Sequence, residues 1–274
     1  MAIVNFMSVD LEDYFCDLPF SMWSKHKERV VNNTQKILKL FKQNNVKATF
    51  FTLGYIADKF PDLIHEIVNE GHEIGSHGYS HLDLRKNSKE IIIEDIKKSI
   101  QTIQDVTGKE VLGFRAPFFS INEKSFWVFD VLKKYFVYDS SVFPVKTPLY
   151  GIPNAPRTIY NPTVDNPIRD NKTGNLIEIP LATHRIPAYG NIPIAGGFYL
   201  RFLPYSYIKY GIKRNHKKNN PVMMYIHPKD IDPQMPKIQG YNWYYYHNLK
   251  NAFEKFEKLL QDFNFSSAKD VLKL

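Results

Sequence analysis

Apolar positions recur along the first half of this chain in short runs separated by amphipathic stretches. Residues 3–9 form a compact apolar run that ends in acids, and KATFFT at 47–52 is β-branched and aromatic, so both read as strands. Between them, 34–43 keeps Ile37, Leu40 and Phe41 on one helical face. Phe60, Ile64, Ile67 and Val68 then recur at helical spacing, with Gly71 as a C-terminal stop, and 72–76 is another short strand. The clearest helix spans 88–107: Ser88 can cap it, Ile92, Ile96, Ile100 and Ile103 form its stripe, and Gly108 ends it. A strand at 111–114, a helix at 123–135 and a strand at 136–138 follow. Strands alternating with helices predict parallel β–α units and an α/β, barrel-like domain.

The pattern lapses at about 144–176, where prolines are frequent and periodic apolar residues few. Irregular segments of that length are functional or mobile, and this one is expected to loop over one end of the barrel. Regularity returns with a strand at 176–180, a helix at 205–214, a strand at 222–226 and a long helix at 243–263. With no internal repeat and no linker-like stretch, a single domain over 1–274 is expected.

Composition narrows the classes. Hydrophobic residues at 43% and aromatics at 15% exclude a disordered chain. The lone Cys16 excludes an intrachain disulfide and a CxxC metal site, and reads as a small buried side chain. No run of 18 apolar residues is present, so no transmembrane helix is expected. The opening MAIVNFMSVDLEDYF lacks a basic region ahead of its apolar stretch and reads as a first strand. The cytoplasm, with peripheral attachment to the inner face of the membrane, is the expected location. Net charge is +8, densest in KYGIKRNHKK at 209–218. That run reads as a solvated face, or as a feature attracting an anionic sugar phosphate or lipid-linked sugar. Nucleic acid is not an expected partner.

The candidate chemistry sits at strand ends, where barrel active sites gather. Asp10, Glu12 and Asp13 crowd the end of the first strand and need a cation or hydrogen bonds, and strand alternation puts Asp10 and Glu12 on one side. GSHGYSH at 75–81 carries His77 and His81 four residues apart, a spacing able to chelate a metal from a tight loop after a strand. Arg115 in GFRAPFF, Asp139 in YDSS and His227 in MMYIHP complete the set.

These motifs, in this order, resemble the polysaccharide deacetylases, the NodB-homology group of carbohydrate esterases. GHEIGSHGYSH at 71–81 is similar to the family's metal-binding segment, KATFF to the strand before it, and GFRAPFFSI to its arginine motif. DLEDYF and IHP look like a subgroup associated with exopolysaccharide or lipopolysaccharide assembly. The resemblance implies a distorted (β/α)7 barrel that removes N-acetyl, sometimes O-acetyl, groups from an amino sugar of a polysaccharide, lipid-linked glycan or sugar nucleotide. It also implies one divalent metal ion, zinc first, with cobalt, nickel, iron or manganese as alternatives. Asp10 falls on the family's catalytic base, His77 and His81 on its metal histidines, and Arg115 on the residue that orients the base. Asp139 and His227 fall on its late aspartate and general acid. Here Leu11 replaces the second aspartate of the usual adjacent pair, so the third ligand is expected to be Glu12, favoured by strand alternation, or Asp13. A backbone N–H near Phe118 would help hold the oxyanion, and Tyr14, Phe118, Phe119 and Trp23 would wall the sugar site. Two other readings remain: the same fold hydrolysing another carbon–nitrogen bond without metal, and an inactive module binding glycan or nucleic acid.

Overall fold

The computed structural model of the chain describes residues 2–172 and 174–274. Its first strands are buried at nearly every position, as in a sheet covered on both sides. They are β1 (Val4–Leu11), β2 (Thr49–Thr52), β3 (Glu73–Ser76), β4 (Gly113–Phe114), β5 (Tyr138–Asp139) and β6 (Ile177–Glu178). Each pairs in parallel with the next in this order. A hairpin of β7 (Thr183–Ile186) and β8 (Gly190–Pro193) stands apart as its own antiparallel pair. The wholly buried β9 (Met223–Ile226) then pairs the middle of β1, and β10 (Asn264–Ser266) pairs its first residues, both in parallel.

The ring closes just past β6. Leu181 makes a parallel bridge to Met223, and the Ala182 N–H donates to the Met223 carbonyl at 3.0 Å. The circuit β9–β1–β2–β3–β4–β5–β6 and back to β9 is a seven-stranded barrel. It is distorted because β4, β5 and β6 are only two residues long and the closure rests on an isolated bridge. Packed on it are α1 (Val30–Gln43), α2 (Gly54–Lys59), α3 (Pro61–Asn69), α4 (Lys89–Thr107), α5 (Val128–Tyr135), α6 (Gly197–Phe202), α7 (Tyr205–His216), α8 (Ala252–Asp262) and α9 (Ala268–Leu272). The helix expected at 88–107 forms with its caps: the Ser88 hydroxyl accepts from the Ile91 N–H, and Gly108 adopts the left-handed conformation.

Several expectations shift. The helix expected at 34–43 starts at Val30, and the reason is Asp13, described below. The helix expected at 123–135 starts at Val128. The long helix expected at 243–263 breaks at Asn248, whose φ of 53° is left-handed; 3-10 turns precede the break and follow it, and α8 starts at Ala252. The hairpin, α2, α6, β10 and α9 were not anticipated, being too short for periodicity to register. Across 144–176 no helix or strand forms among the described residues, but the buried Tyr160 exchanges backbone hydrogen bonds with Glu178 of β6 and so ties the loop to the barrel.

Candidate active site

The C-terminal ends of β1, β3, β4 and β9 deliver Asp10, Glu12, His77, Arg115 and His227 to one place. Arg115 is fully buried and held on every side. Its Nε donates to the Ser140 carbonyl at 2.9 Å, Nη2 to the Ser140 hydroxyl at 2.8 Å, and Nη1 to both Ser8 at 2.8 Å and Asp10 Oδ1 at 2.5 Å. The guanidinium also lies 4.2 Å from the centre of the Phe51 ring. Asp10 is thereby fixed in rotation, with Oδ2 turned to His227 Nε2 at 3.8 Å.

Glu12, His77 and His81 bring ligand atoms within 4.8 Å of one another. Both imidazoles are oriented from behind. A carbonyl only accepts, so His77 Nδ1–H donates to the Arg115 carbonyl at 2.7 Å and His81 Nδ1–H to the Cys16 carbonyl at 2.9 Å. Each Nε2 is left to face Glu12. Burial drives the His77 pKa down to about 4, so this ring is neutral and ready to ligate. Glu12 Oε2 is buried and makes no hydrogen bond, although His81 Nε2 lies 2.7 Å away. A carboxylate and an imidazole lone pair do not approach so closely without a cation or a proton between them. Burial opposes charging His81, but the Glu12 carboxylate outweighs it and raises the pKa. A carboxylate and two neutral imidazoles suit a zinc-like divalent ion and leave coordination positions open, so these residues fit such a metal.

Asp13 has a different task. Its Oδ1 accepts from the Tyr14 N–H at 2.8 Å, and Oδ2 accepts from the Arg29 and Val30 N–H groups at 2.7 and 2.9 Å. It is an anionic cap on α1, which has no side-chain cap of its own, and it is not a ligand to the Glu12 cluster. Glu12→Gln is therefore expected to weaken metal binding. Asp13→Asn should leave metal content intact and lower stability by about 0.5–2 kcal/mol, the range of a lost cap. Metal titration and thermal melting of the two variants separate these outcomes; loss of metal in Asp13→Asn would reverse the assignment.

Asp139 also departs from its expected part. It stands opposite Glu178 in the β5–β6 register, and its Oδ1 accepts from the Ser141 hydroxyl at 2.5 Å, which itself accepts from the Ala116 N–H at 2.8 Å. Burial raises both carboxyl pKa values, Glu178 well above the usual range, so the pair retains a proton. Asp139 braces the turn after β4. The carboxylate on His227 is instead Asp230, whose Oδ2 accepts from the ring Nδ1–H at 2.7 Å and from the His227 backbone N–H at 2.9 Å. Pro228 opens that turn, so His-Pro-Lys-Asp is a capping box with the acid folded back, a signal legible in the sequence but passed over. Sequence reasoning also missed Lys229. Its Nζ donates to Glu12 Oε1 at 2.6 Å and Asp17 Oδ2 at 3.2 Å, which leaves Glu12 only Oε2 for a metal. Burial would raise the Glu12 pKa, but the Lys229 ammonium and His81 hold it well below the ordinary range.

Of the expected sugar-site walls, Tyr14 and Trp23 are buried: Tyr14 packs edge-on against Phe15 and His26, and Trp23 packs against Phe20 and Tyr55. Phe119 is largely buried against Phe143, Tyr150 and Tyr225. Phe118 alone stays half-exposed beside the cluster, 4.3 Å from the His81 ring centre. His81, Phe118 and Phe119 have φ values of 56°, 58° and 48°, so unfavourable backbone conformations gather around the candidate metal position.

The family model for polysaccharide deacetylases matches residues 21–135. Residues 21–135 are thus similar to polysaccharide deacetylases. A second model, a domain of unknown function named DUF3473, matches 140–273, so the second half of the barrel, with His227, lies in that segment. The chain is 43% identical over 90 residues to a peptidoglycan-N-acetylglucosamine deacetylase of Bacillus cereus, covering 33% of each protein. It is 34% identical over 111 residues to the peptidoglycan deacetylase of Helicobacter pylori, covering 39% of this chain and 36% of the relative. The matches thus span about a third of these curated relatives. Among solved structures, a Mycobacterium smegmatis protein provisionally named a polysaccharide deacetylase superposes with a TM-score of 0.62 at 16% identity, covering 100% of this chain and 93% of its own. An allantoinase superposes with a TM-score of 0.58 at 18% identity, covering 97% and 82%. These likenesses show the α/β distorted-barrel fold.

Proposed function

We propose that the chain is a metal-dependent hydrolase that removes N-acetyl groups from an acetylated amino sugar carried in a polymer. The observation that carries this reading is the Glu12–His77–His81 cluster, with its outward nitrogens already bonded, set beside the buried Asp10–Arg115 pair. The names of the relatives and of the matching family model support it.

A divalent ion held by Glu12, His77 and His81 would polarise the acetyl carbonyl and make an attacking water more acidic. Asp10, aimed by Arg115, takes the proton of that water as its oxygen bonds to the acetyl carbon. A backbone N–H near Phe118 helps to hold the negative charge on the former carbonyl oxygen. His227 gives a proton to the departing nitrogen as the carbon–nitrogen bond breaks, releasing acetate and a free amine. Its Nδ1–H is taken by Asp230, so the proton it can give sits on Nε2, the atom that faces Asp10 and Glu12.

The pH dependence follows from the groups around His227, namely Asp230, Lys229, Glu12 and Asp10. Burial disfavours the imidazolium, yet Asp230 outweighs it and the pKa is raised. The acid is protonated below that pKa and lost above it, so kcat falls on the alkaline side. Asp230→Asn should shift this limb to lower pH, and His227→Ala should flatten it, with metal content unchanged in both. An alkaline limb that stays in place in both variants would remove His227 from the acid role. Acetate release from N-acetylglucosamine oligomers, measured against pH, tests both the function and the assignment.

A further inference from the structure

Beyond the reacting centre, the segment from β8 to α8 builds an exposed aromatic platform. Phe198 and Phe202 on α6 stack at 5.4 Å. Trp243 meets Phe198 at 6.4 Å and His247 at 5.5 Å, and Tyr244 meets Phe198 at 6.0 Å. Trp243 is 63% and Phe202 52% exposed. Apolar rings left open in this density mark an interaction surface.

The platform is held rigidly, and held to the active site. Arg201 is buried, and its Nη1 donates to the carbonyls of Tyr244, Tyr245 and His247 at 3.0, 3.2 and 2.7 Å. Its Nη2 lies 3.1 Å from Asp230 Oδ1, the carboxylate that holds His227. Asn248, in the left-handed region, donates from its side chain to the Arg201 carbonyl at 2.9 Å. From the other side, Tyr245 stacks on Tyr244 at 5.0 Å and lies 6.0 Å from Lys229 Nζ, which reaches Glu12. The rings therefore continue directly from the catalytic groups.

We infer that this platform is a glycan-binding subsite that holds sugar units of the polymer beyond the unit being deacetylated. The inference rests on the deacetylase reading above and adds where the chain lies. Flat ring faces with fixed spacing match the apolar C–H faces of pyranose rings, and pre-organised aromatics lose little entropy on binding. Lys255 helps to hold α6 in place, with its Nζ donating to the carbonyls of Leu200, Arg201 and Leu203 at 3.2, 3.2 and 3.0 Å.

The test compares the intact, metal-loaded protein with Trp243→Ala, Phe202→Ala and the double variant on N-acetylglucosamine oligomers of two and of six units. Both side chains are mostly exposed, so the variants should fold, as circular dichroism will check. The expected result is an unchanged rate on the dimer and a kcat/KM on the hexamer lower by roughly tenfold, mainly through KM. Calorimetric binding of the hexamer should weaken by the same factor. Equal losses on both lengths, or none on either, would overturn the platform while leaving the deacetylase reading in place. If no oligomer turns over, that reading fails on its own and the calorimetric arm decides the platform: hexamer binding that is absent, or equal in wild type and double variant, overturns it. Binding to anionic phospholipid vesicles that the double variant loses, with hexamer kinetics unchanged, would also overturn it and make the face a membrane contact.

Discussion

His77→Ala is expected to leave the fold intact, remove most bound divalent metal, and lower acetate release by roughly 10³-fold or more, equivalent to several kcal/mol of lost charge stabilisation. His77 supplies one of two imidazoles, and no neighbouring group is placed to replace it. Asp10 is committed to Arg115, Asp13 to the start of α1, and Asp17 to Lys229. The fold should survive, because the His77 side chain is bonded to the scaffold, among the described residues, only from Nδ1 to a loop carbonyl, while its backbone N–H keeps its bond to Thr52 and β3 keeps its backbone pairing. Metal analysis of the purified variant, beside a thermal melt, checks this. Retention of full metal stoichiometry would show that the ion sits elsewhere.

Asp10→Asn should behave differently: metal is kept, and the rate falls by roughly 10²- to 10⁴-fold, the scale of general-base catalysis. The amide oxygen can still accept from Arg115 Nη1, but it cannot take a proton from water. A buried guanidinium without its counter-charge also lowers stability, by up to about 3–5 kcal/mol where the pair is simply broken. Ser8 and Ser140 continue to hold Arg115, which should keep the variant folded. Rates are therefore to be compared well below the melting temperature of the variant. If Asp10→Asn lost its metal and kept its rate per bound ion, Asp10 would be a ligand and the roles of Asp10 and Glu12 would exchange.

The barrel was legible because its strands are apolar blocks and its longest helix carries both a stripe and caps. Asp10, Glu12, His77, Arg115 and His227 were legible because each directly follows or ends such a block. What stayed hidden depends on side-chain direction. Strand alternation paired Asp10 with Glu12 but left the task of Asp13 open; Asp13 turns to the N–H groups of Arg29 and Val30, sixteen and seventeen residues away. Asp139 and Asp230 each lie near a catalytic strand end, but only the turn opened by Pro228 brings a carboxylate under the His227 ring. Tyr14 and Trp23 look like sugar-stacking rings in sequence and are core in space, while the exposed rings at 198–202 and 243–247 lie in segments where periodicity gave a helix or nothing.

The most direct measurement is acetate release from N-acetylglucosamine oligomers by one preparation in three states: as purified, after exhaustive chelation, and after titration back with zinc, cobalt or nickel. The expected result is loss of nearly all activity on chelation and recovery that saturates at one ion per chain, with no recovery in His77→Ala. Activity that persists in chelated protein shown to be free of metal would contradict a metal-dependent reaction at Glu12, His77 and His81.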